Sequence, residues 1–378
     1  MFDPVEFTQD LVRFDTINPP GNEEACGLHV AAELEKQGLP VERQLFGDKR
    51  INVVMTLDGA DSDEDPLLLT GHLDTVPLGE LAWTHAPLGG EIIDGKLFGR
   101  GSSDMKSGVA AMMATAIKIG HTPKKDRKRG IKLVFTSGEE MGCDGAHHLI
   151  ATGGPDLGQA SAMIVGEPTE NQYSNAHKGA MFMQAVLSGK TAHSSTPELG
   201  VNAIYKAARA ISRIEDYGFN VSPHPQLGAP TINVGYMGGG LNANSVPDRA
   251  FFTIDIRTNA MKDHAAFFDD LKTYLGDDVE LEITSQIPAV STDLADPFIK
   301  ATAKACAEVL GDEFNPDPVG LTFATDAGVL HPHYQCPTVI LGPGEQSVMH
   351  QTDEFVYVHR IEQAVRIYTH IAKSWCLG

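Results

Sequence analysis

Long hydrophobic runs are missing from this sequence. No stretch approaches the roughly 20 consecutive apolar residues of a membrane-spanning helix. The N-terminal stretch MFDPVEFTQDLVRF lacks the pattern of a signal peptide and instead predicts a helix with Pro4 in its first turn. We therefore expect a cytoplasmic protein without a membrane partner.

Cysteine is scarce, and the few cysteines are scattered. The chain has five, an odd number without CxxC spacing. This pattern indicates neither a disulfide framework nor a structural zinc site of thiolates. We expect reduced and mostly buried thiols at Cys26, Cys143, Cys306, Cys336 and Cys376.

Positive charge is also in short supply. The chain has 29 Lys and Arg against 50 Asp and Glu, giving a formal net charge of -21. Such a charge repels nucleic acids and anionic membranes, so neither is an expected partner. The one basic run, KKDRKRG at 124–130, predicts a solvated loop before a strand. The excess carboxylates are available to bind cations.

Length and hydrophobic pattern predict an α/β protein of two domains. The chain has 378 residues, 42% of them apolar, which is enough for two cores without disulfides. Helices and short apolar strands alternate through the first half, and a strand without polar alternation is typical of a buried sheet. The predicted helices lie near 3–14, 22–37 and 107–119, and the predicted strands near 50–57, 66–71, 130–138 and 161–167.

The middle of the chain has a different pattern. From about 178 to 286 the order is strand, helix, strand, strand, helix, strand, which is typical of a small α+β domain with a ferredoxin-like arrangement. A helix near 296–310, the run PTVILGPG and a final helix near 360–374 would return to the first domain. We expect a catalytic domain with a mixed sheet and helices on both faces, formed by residues 1–177 and 287–378, and an inserted domain at 178–286.

Acidic residues and histidines follow the predicted buried strands. Ligands in α/β sheets gather at the carboxyl ends of the strands, so side chains placed there are expected to converge. Imidazole and carboxylate ligands without thiolate favour zinc, cobalt or manganese, whereas an oxygen-only set would favour calcium or magnesium. The residues are His72 and Asp74 after PLLLTG, Asp104 in GRGSSDMKSG, Glu139 and Glu140 after VFTSG, Glu167 after AMIVG, and His350 in SVMHQTDE.

Each of these residues also has an ordinary structural interpretation. Asp104 could cap the helix that begins near Ser107, and His72 could be a hydrogen-bonded core histidine. Two adjacent glutamates are commonly a solvated surface pair. Glu167 could end a strand before Pro168, and His350 could belong to an exposed loop. The five segments that contain these residues, taken together, favour a metal site.

Five motifs resemble those of a known enzyme family. GHLDTVP, GRGSSDMKSG, TSGEEMG, GEPTEN and MHQTDE occur in the order of the metal-site motifs of two-zinc amidohydrolases. That family includes acetylornithine deacetylase, succinyl-diaminopimelate desuccinylase, aminoacylase and glutamate carboxypeptidases. The resemblance implies two divalent ions, zinc with cobalt as an alternative. One would be held by His72, Asp104 and Glu167, and the other by Asp104, Glu140 and His350, with Asp104 bridging.

The resemblance also implies a mechanism. Two metals that share a water lower its pKa, so that a metal-bridging hydroxide is available to attack the amide. Glu139 would be the general base that takes the proton of the water and passes it to the leaving amine. Asp74 would orient His72, since a carboxylate that contacts a ligand histidine fixes its tautomer. A cis peptide is implied between Asp104 and Met105.

The inserted domain resembles the dimerisation and lid domain of these enzymes. His193 would reach the active site of a partner copy and stabilise the oxyanion, which implies a homodimer. Asn244 would serve the oxyanion region, and Arg257 would bind the carboxylate of the substrate, unless it pairs with a neighbouring acid. Thr325 would lie near the substrate. GPG at 342–344 favours a tight turn over a phosphate-binding loop.

The function that this resemblance implies is hydrolysis of the amide bond of an N-acyl amino acid, with acetylornithine deacetylase as the nearest type. Desuccinylation, or release of an amino acid from a short peptide, are alternatives within the family. A non-enzymatic binding protein of the same fold is the alternative outside it. A serine or cysteine hydrolase is disfavoured, because GxSxG is absent and no base accompanies Cys143 in GCDG.

Overall fold

A computed structural model describes residues 2–60, 63–152 and 154–377. Contacts within the chain divide it into two units. The first unit comprises Met1–Ala176, Ser291–Gly320 and Thr325–Gly378, and the second comprises His177–Val290 and Leu321–Ala324. The second unit is therefore inserted in the sequence of the first.

Helices and strands alternate along most of the described chain. The helices are α1 Pro4–Arg13, α2 Glu24–Lys36, α3 Ser107–Gly120, α4 Asp144–Thr152, α5 Ala203–Glu215, α6 His264–Leu275, α7 Pro297–Leu310, α8 Ala327–Tyr334 and α9 Val358–Cys376. The strands are β1 Val41–Phe46, β2 Arg50–Leu57, β3 Leu67–His72, β4 Ile92–Ile93, β5 Lys96–Phe98, β6 Ile131–Thr136, β7 Ala162–Val165, β8 Ala176–His177, β9 Gly179–Ser188, β10 Thr231–Asn233, β11 Met237–Gly239, β12 Arg249–Thr258, β13 Glu280–Ile287, β14 Val290–Ser291, β15 Thr338–Ile340 and β16 Phe355–Tyr357.

The first unit contains a six-stranded sheet in the order β1-β2-β6-β3-β7-β15. The pairs β6–β3, β3–β7 and β7–β15 are parallel. The pairs β1–β2 and β2–β6 are antiparallel. Every residue of β3, β6 and β7 is buried. Because alternate side chains point to opposite faces, both faces of the sheet are covered there. The predicted mixed-sheet α/β class is confirmed.

Small residues allow α3 to pack closely in this unit. Its sequence SGVAAMMATAIKIG is almost entirely buried and contacts α9, α1 and the sheet. A Cβ atom at Gly108 would lie 2.3 Å from the carbonyl oxygen of Gly166, so only glycine fits at this point. α3 is thereby held directly against the loop that follows β7.

The second unit is an antiparallel sheet covered by two helices. The strand order is β10-β12-β9-β13, and β11 also pairs with β12. Buried residues alternate along β9 and β12, so these strands have one apolar face. Apolar residues of α5 and α6, such as Ala207, Ile214, Phe267 and Leu271, complete the core on that face.

Several predicted elements need correction. We expected four strands in the middle of the chain, but the second of them is divided into β10 and β11, because the register against β12 shifts by one residue between Asn233 and Met237. The chain around Gly235 therefore forms a bulge. The sequence also gave no indication of α4, α8, β1 or the small sheet β16-β5-β4. Their short apolar patterns are too weak to separate from loops.

The basic run at 124–130 is not fully solvated. Arg127 is buried, and its guanidinium donates hydrogen bonds to the carbonyl oxygens of Asp58, Gly120 and Thr122. Arg127 therefore holds the segment before β6 against the residue that follows β2 and the residues around the end of α3. The five cysteines are free and buried, as predicted. None of the helices in the described part of the chain has both the length and the apolar character needed to cross a bilayer.

Candidate metal centre

The candidate site lies at the carboxyl ends of three neighbouring parallel strands. β3 ends at His72, β6 is followed by the turn Glu139–Met141, and β7 is followed by Glu167. The strands are adjacent in the order β6-β3-β7, so their ends meet at one edge of the sheet. The loop with Asp104 and the loop with His350 reach the same edge.

Asp104 lies between the two histidines. Its Oδ1 is 3.1 Å from His72 Nε2, and its Oδ2 is 3.3 Å from His350 Nε2. Glu167 Oε1 is 3.7 Å from His72 Nε2, on the side of Asp104 Oδ1. Glu140 Oε2 is 3.2 Å from His350 Nε2, on the side of Asp104 Oδ2. Each oxygen of Asp104 therefore faces a different pair of one histidine and one glutamate.

These residues fit a metal. One ligand atom each from His72, Asp104 and Glu140 lie within 4.8 Å of one another. Glu140 Oε1 is buried and has no hydrogen-bond partner among the described residues. A buried carboxylate oxygen without a partner is costly unless a cation neutralises it. Imidazole nitrogen and carboxylate oxygen are the donors that zinc and cobalt accept.

The helix-capping alternative for Asp104 does not hold. The residue before α3 is Lys106, and no side chain caps that end of the helix. The backbone is not helical at Asp104, where φ is -117° and ψ is 95°. The peptide from Asp104 to Met105 is cis, as the resemblance implied. The side chain is therefore directed to the histidines instead of to the helix.

Asp74 contacts the turn with the two glutamates. Its Oδ1 accepts a hydrogen bond from the N–H of Glu139 at 3.1 Å, and its Oδ2 accepts one from the N–H of Glu140 at 3.2 Å. The Nδ1 of His72 is 3.0 Å from the carbonyl oxygen of Asp74 and 3.6 Å from its carboxylate. The backbone carbonyl is thus the nearer partner of the imidazole, and the carboxylate holds the turn.

Most of the chain matches a known family of peptidases. The profile of peptidase family M20/M25/M40 matches residues 68–374. The chain belongs to this peptidase family. An acetylornithine deacetylase of Myxococcus xanthus is 30% identical over 364 residues, covering 93% of this chain and 92% of the relative. A probable succinyl-diaminopimelate desuccinylase of Staphylococcus epidermidis is 27% identical over 404 residues, covering 99% and 98%.

The fold of a solved member of the M20 family is similar as well. An M20-family metallo-carboxypeptidase from Sulfolobus solfataricus superposes with a TM-score of 0.78, with 19% identity and 99% of each chain covered. At that identity the likeness shows the fold alone. The family consists of metal-dependent hydrolases, so the M20 chain described here is a hydrolase with a group able to bind metal.

Burial makes the glutamates of this M20-family site hard to ionise without a cation. Burial raises the pKa of Glu139 and of Glu167 well above the usual glutamate value, and the carboxylates around them raise both further. Burial and the charge of Asp104 raise the pKa of Glu140. Crowded carboxylates that resist ionisation are a physical signature of a functional site.

The pKa values of the two histidines are also raised, which for a histidine favours the charged form. Hydrogen bonds to Asp104 and Glu140 raise the pKa of His350 to about 10. Burial alone would lower the pKa of His72, but Glu167 and Asp104 together raise it well above its usual value. For Asp104, burial is outweighed by the two histidines, which lower its pKa. In the metal-free protein, protons therefore occupy positions that a divalent cation can take.

A network behind Asp74 was not predicted from the sequence. Asn18 Nδ2 donates to Asp74 Oδ2 at 3.0 Å, and Arg50 Nη2 donates to Asn18 Oδ1 at 2.8 Å. Arg50 Nη1 also donates to Asp144, the first residue of α4, at 2.7 Å. Asn18 and Arg50 lie in stretches without a recognisable motif, so no sequence signal could identify them.

Asp326 is a further acid of this site. It is buried, accepts a hydrogen bond from the hydroxyl of Thr136, and lies among the charges that raise the pKa of Glu139. Its neighbour Thr325 is fully buried, and Thr325 Oγ1 accepts a hydrogen bond from the N–H of Ala327 at 3.1 Å. In this structure the Thr325 hydroxyl therefore stabilises the start of α8.

The remaining predicted residues belong to the second unit. His193 and Ser245 form an antiparallel bridge, and the N–H of Ser194 donates to the carbonyl oxygen of Asn244 at 3.0 Å. The segments with His193 and Asn244 are therefore adjacent. His193 Nδ1 is 2.7 Å from Ser195 Oγ, and His193 is exposed.

Arg257 is paired within its own strand. Its Nε is 3.1 Å from Asp255 Oδ1, and its Nη2 donates to Asp255 Oδ2 at 3.2 Å. The guanidinium also lies 5.4 Å from the ring centre of Phe182. The pairing with a neighbouring acid, one of the two alternatives that the sequence left open for Arg257, is thus the one found in this structure.

Proposed function

We propose that the protein hydrolyses the amide bond of an N-acyl amino acid with two bound divalent metal ions, in the manner of acetylornithine deacetylase. The observation that carries the proposal is the position of Asp104, whose two oxygens face His72 and His350 separately. A carboxylate between two such sets is suited to bridging two metals. Zinc or cobalt fits the donors.

The ligands divide into two sets that share Asp104. His72 and Glu167 would complete the first set, and Glu140 and His350 the second. When bound, the two metals would polarise the carbonyl of the substrate and lower the pKa of a shared water. The carbonyl of Asp74 accepts from Nδ1 of His72, which leaves Nε2 free to act as a ligand.

Glu139 is the proposed general base. Because Asp74 holds the backbone of the turn, Glu139 and Glu140 keep fixed positions, and the side chains of neighbouring residues leave the chain in different directions. Glu139 has a pKa raised by burial, as suits a carboxylate that must accept and release a proton near neutral pH. It would take the proton of the attacking water and deliver it to the leaving amine nitrogen.

Residues of the inserted unit are assigned to substrate recognition. We assign His193 and Asn244 to the developing oxyanion, which hydrogen-bond donors stabilise. Arg257 would bind the carboxylate of the substrate in exchange for that of Asp255, since its planar fork matches a carboxylate. Thr325, which belongs to the first unit, is assigned to the vicinity of the substrate by resemblance.

A homodimer through the inserted unit is part of the proposal. Tyr205 of α5, Met237 of β11 and Leu241 are 64%, 44% and 96% exposed. β11 lies at an edge of the sheet and contacts α5, so these apolar side chains are carried by neighbouring elements. An apolar surface beside an open strand edge favours pairing with a second copy.

A substrate panel tests the function. Metal-free protein is loaded with zinc or cobalt and assayed for amine release from N-acetyl, N-succinyl and N-formyl amino acids and from short dipeptides. N-acetylornithine is expected to be the best substrate. Preference for an N-succinyl substrate would instead support desuccinylation, the activity named for the relative from Staphylococcus epidermidis. Binding without turnover of any member would overturn the proposal in favour of a binding protein.

A further inference from the structure

Glu354 lies at the centre of a hydrogen-bond cluster beside the Asp104 loop. It is fully buried. Its Oε1 accepts hydrogen bonds from the N–H of Ser103 at 2.9 Å and of Asp104 at 3.0 Å. Its Oε2 accepts one from the N–H of Gly101 at 3.1 Å and one from Arg100 Nη1 at 2.6 Å. Four donors from one loop therefore converge on a single carboxylate.

Backbone conformation explains why an anion is needed there. Gly101 has a positive φ of 81°, and Asp104 leaves the helical conformation. The N–H groups of Gly101, Ser103 and Asp104 therefore point to one side, whereas that of Ser102 donates to the carbonyl oxygen of Gly99 within the turn. Converging N–H groups form an anion-binding concavity. The Glu354 carboxylate fills it and fixes the backbone that carries Asp104.

Arg100 connects the same carboxylate to the His350 segment. Its guanidinium donates to the carbonyl oxygen of Gln351 at 3.1 Å and to that of His350 at 3.3 Å. It also donates to the carbonyl oxygen of Pro77 at 3.1 Å. Arg100 is buried, so these bonds are shielded from water. The backbone of His350 is thus held by the residue that pairs with Glu354.

The contacts form a closed ring around one half of the metal centre. Asp104 faces His350 through its side chain, while Glu354 holds the backbone N–H of Asp104. Arg100 joins Glu354 to the carbonyl of His350. Two ligands from distant parts of the chain are therefore positioned by one buried ion pair that touches neither histidine ring nor any ligand oxygen.

We propose that Glu354 and Arg100 are positioning residues that determine how tightly the site of Asp104, Glu140 and His350 binds its metal. This inference rests on the proposed two-metal function. Residues that orient metal ligands typically change metal affinity by about 10- to 100-fold when they are replaced. The site of His72 and Glu167 depends on the pair only through Asp104, so it is less affected.

Glu354→Gln is the main test variant. Glutamine keeps the size of the side chain, but its amide nitrogen is a donor and cannot accept from the N–H groups or from Arg100. Arg100→Lys is the second variant, because lysine keeps the charge and loses the planar fork that reaches several acceptors. Leu34→Ala, which truncates a buried residue of α2, serves as a control for lost stability alone.

Calorimetric titration of the metal-free protein with Zn²⁺ measures the outcome. His350→Ala identifies the binding event that belongs to the second site. In Glu354→Gln that event is expected to weaken by about 10- to 100-fold, and the other by less, with an intermediate effect for Arg100→Lys. The Co²⁺ absorption spectrum of the second site should change in parallel.

Three results separate the possibilities. If the unaltered protein binds fewer than two metals, the proposed function fails at its premise. If it binds two and both variants titrate like Leu34→Ala, the positioning role is wrong although the function stands. Equal weakening of both events in the two variants also overturns the selective role. If Glu354→Gln does not fold, Arg100→Lys decides by the same comparison.

Discussion

The backbone N–H of Glu139 donates a hydrogen bond to the carboxylate of Asp74 at 3.1 Å. The N–H of the next residue, Glu140, donates to the other oxygen of the same carboxylate at 3.2 Å. One buried acid therefore fixes a turn whose two side chains serve different proposed purposes. The adjacent glutamates are part of the site and not a solvated surface pair, because both are largely enclosed and Glu140 is 3.2 Å from His350.

Glu139→Gln is expected to remove most of the turnover and leave metal binding nearly unchanged. Glutamine cannot accept the proton of the water, and loss of a general base lowers kcat by about 100- to 10,000-fold. Glu140→Gln is the matched variant, and it should lose metal because it removes a proposed ligand. Rate measurements with metal analysis by mass spectrometry distinguish the two. Unchanged turnover in Glu139→Gln would show that the base is another residue.

Metal affinity is expected to rise with pH. In the metal-free protein the pKa of His350 is raised to about 10, and burial raises those of Glu140 and Glu167. At neutral pH His350 therefore holds a proton that a metal must displace, and the raised pKa values of the two glutamates act in the same direction, so binding releases protons and strengthens as the pH increases. Calorimetry in two buffers of different ionisation enthalpy measures the release. Binding without proton release at pH 7 would contradict the expected protonation.

Gly342→Ala is expected to disturb the loop that carries Glu167. A Cβ at Gly342 would lie 2.2 Å from the carbonyl oxygen of Gly166 and 2.5 Å from that of Glu167. The backbone must move, at a cost of about 1–3 kcal/mol in the free energy of unfolding. Gly218→Ala is the control, since a Cβ there meets nothing within 4 Å. Urea denaturation and zinc titration of both variants test this, and equal effects would refute it.

Glu23→Gln is expected to make stability less dependent on pH. Burial, with the charge of Asp74, raises the pKa of Glu23 from 4.5 to about 7. The folded state binds this proton more tightly than the unfolded state, so its stabilising effect is present below about pH 4.5 and is lost as the pH rises to about 7. Glutamine has no such proton to lose.

Denaturation of metal-free protein at pH 5 and pH 8 measures that effect. Relative to the unaltered chain, Glu23→Gln should gain about 1–3 kcal/mol more stability at pH 8 than at pH 5. The lower part of this range allows for the nearby guanidinium of Arg50, 3.8 Å away. The same difference at both pH values would mean that Glu23 titrates normally in the folded protein.

Leu241→Asp and Tyr205→Asp are expected to weaken the proposed dimer. Each variant replaces an exposed apolar side chain of the second unit with a carboxylate. Burying that charge against a second copy would be costly. Leu45→Asp, on an exposed position of β1, is the control. Sedimentation velocity should show monomers for the first two variants alone, with lower activity if His193 acts in the partner copy. A monomer that is fully active would rule out that role.

Much of the first unit could be predicted from sequence because its strands are buried on both faces. The apolar runs PLLLTG and KLVFT have no polar alternation, and the structure places them at the centre of the sheet as β3 and β6. The helices near the two chain ends were predicted within a few residues, because their apolar residues recur at regular helical spacing. The bulge near Gly235 and the short α8 lack such regularity.

Residue roles around the metal centre were predictable only where a motif carried them. Motifs pointed to His72, Asp104 and His350, and the structure brings Asp104 within hydrogen-bond reach of both histidines. Glu354 belongs to the motif MHQTDE but gave no sign of its role. Its function as an acceptor depends on N–H groups about 250 residues earlier in the chain, and spacing within a motif contains no information about them.

The sequence by itself determined the residue types of the site and the order in which buried strands deliver them, because apolar patterning and ligand chemistry are local properties. Only the tertiary structure decided which partner each group has. Asp74 holds the Glu139 turn, Arg257 pairs with Asp255, and Glu354 holds the Asp104 loop. These choices depend on directions and distances of about 3 Å, and only the packing of distant segments fixes them.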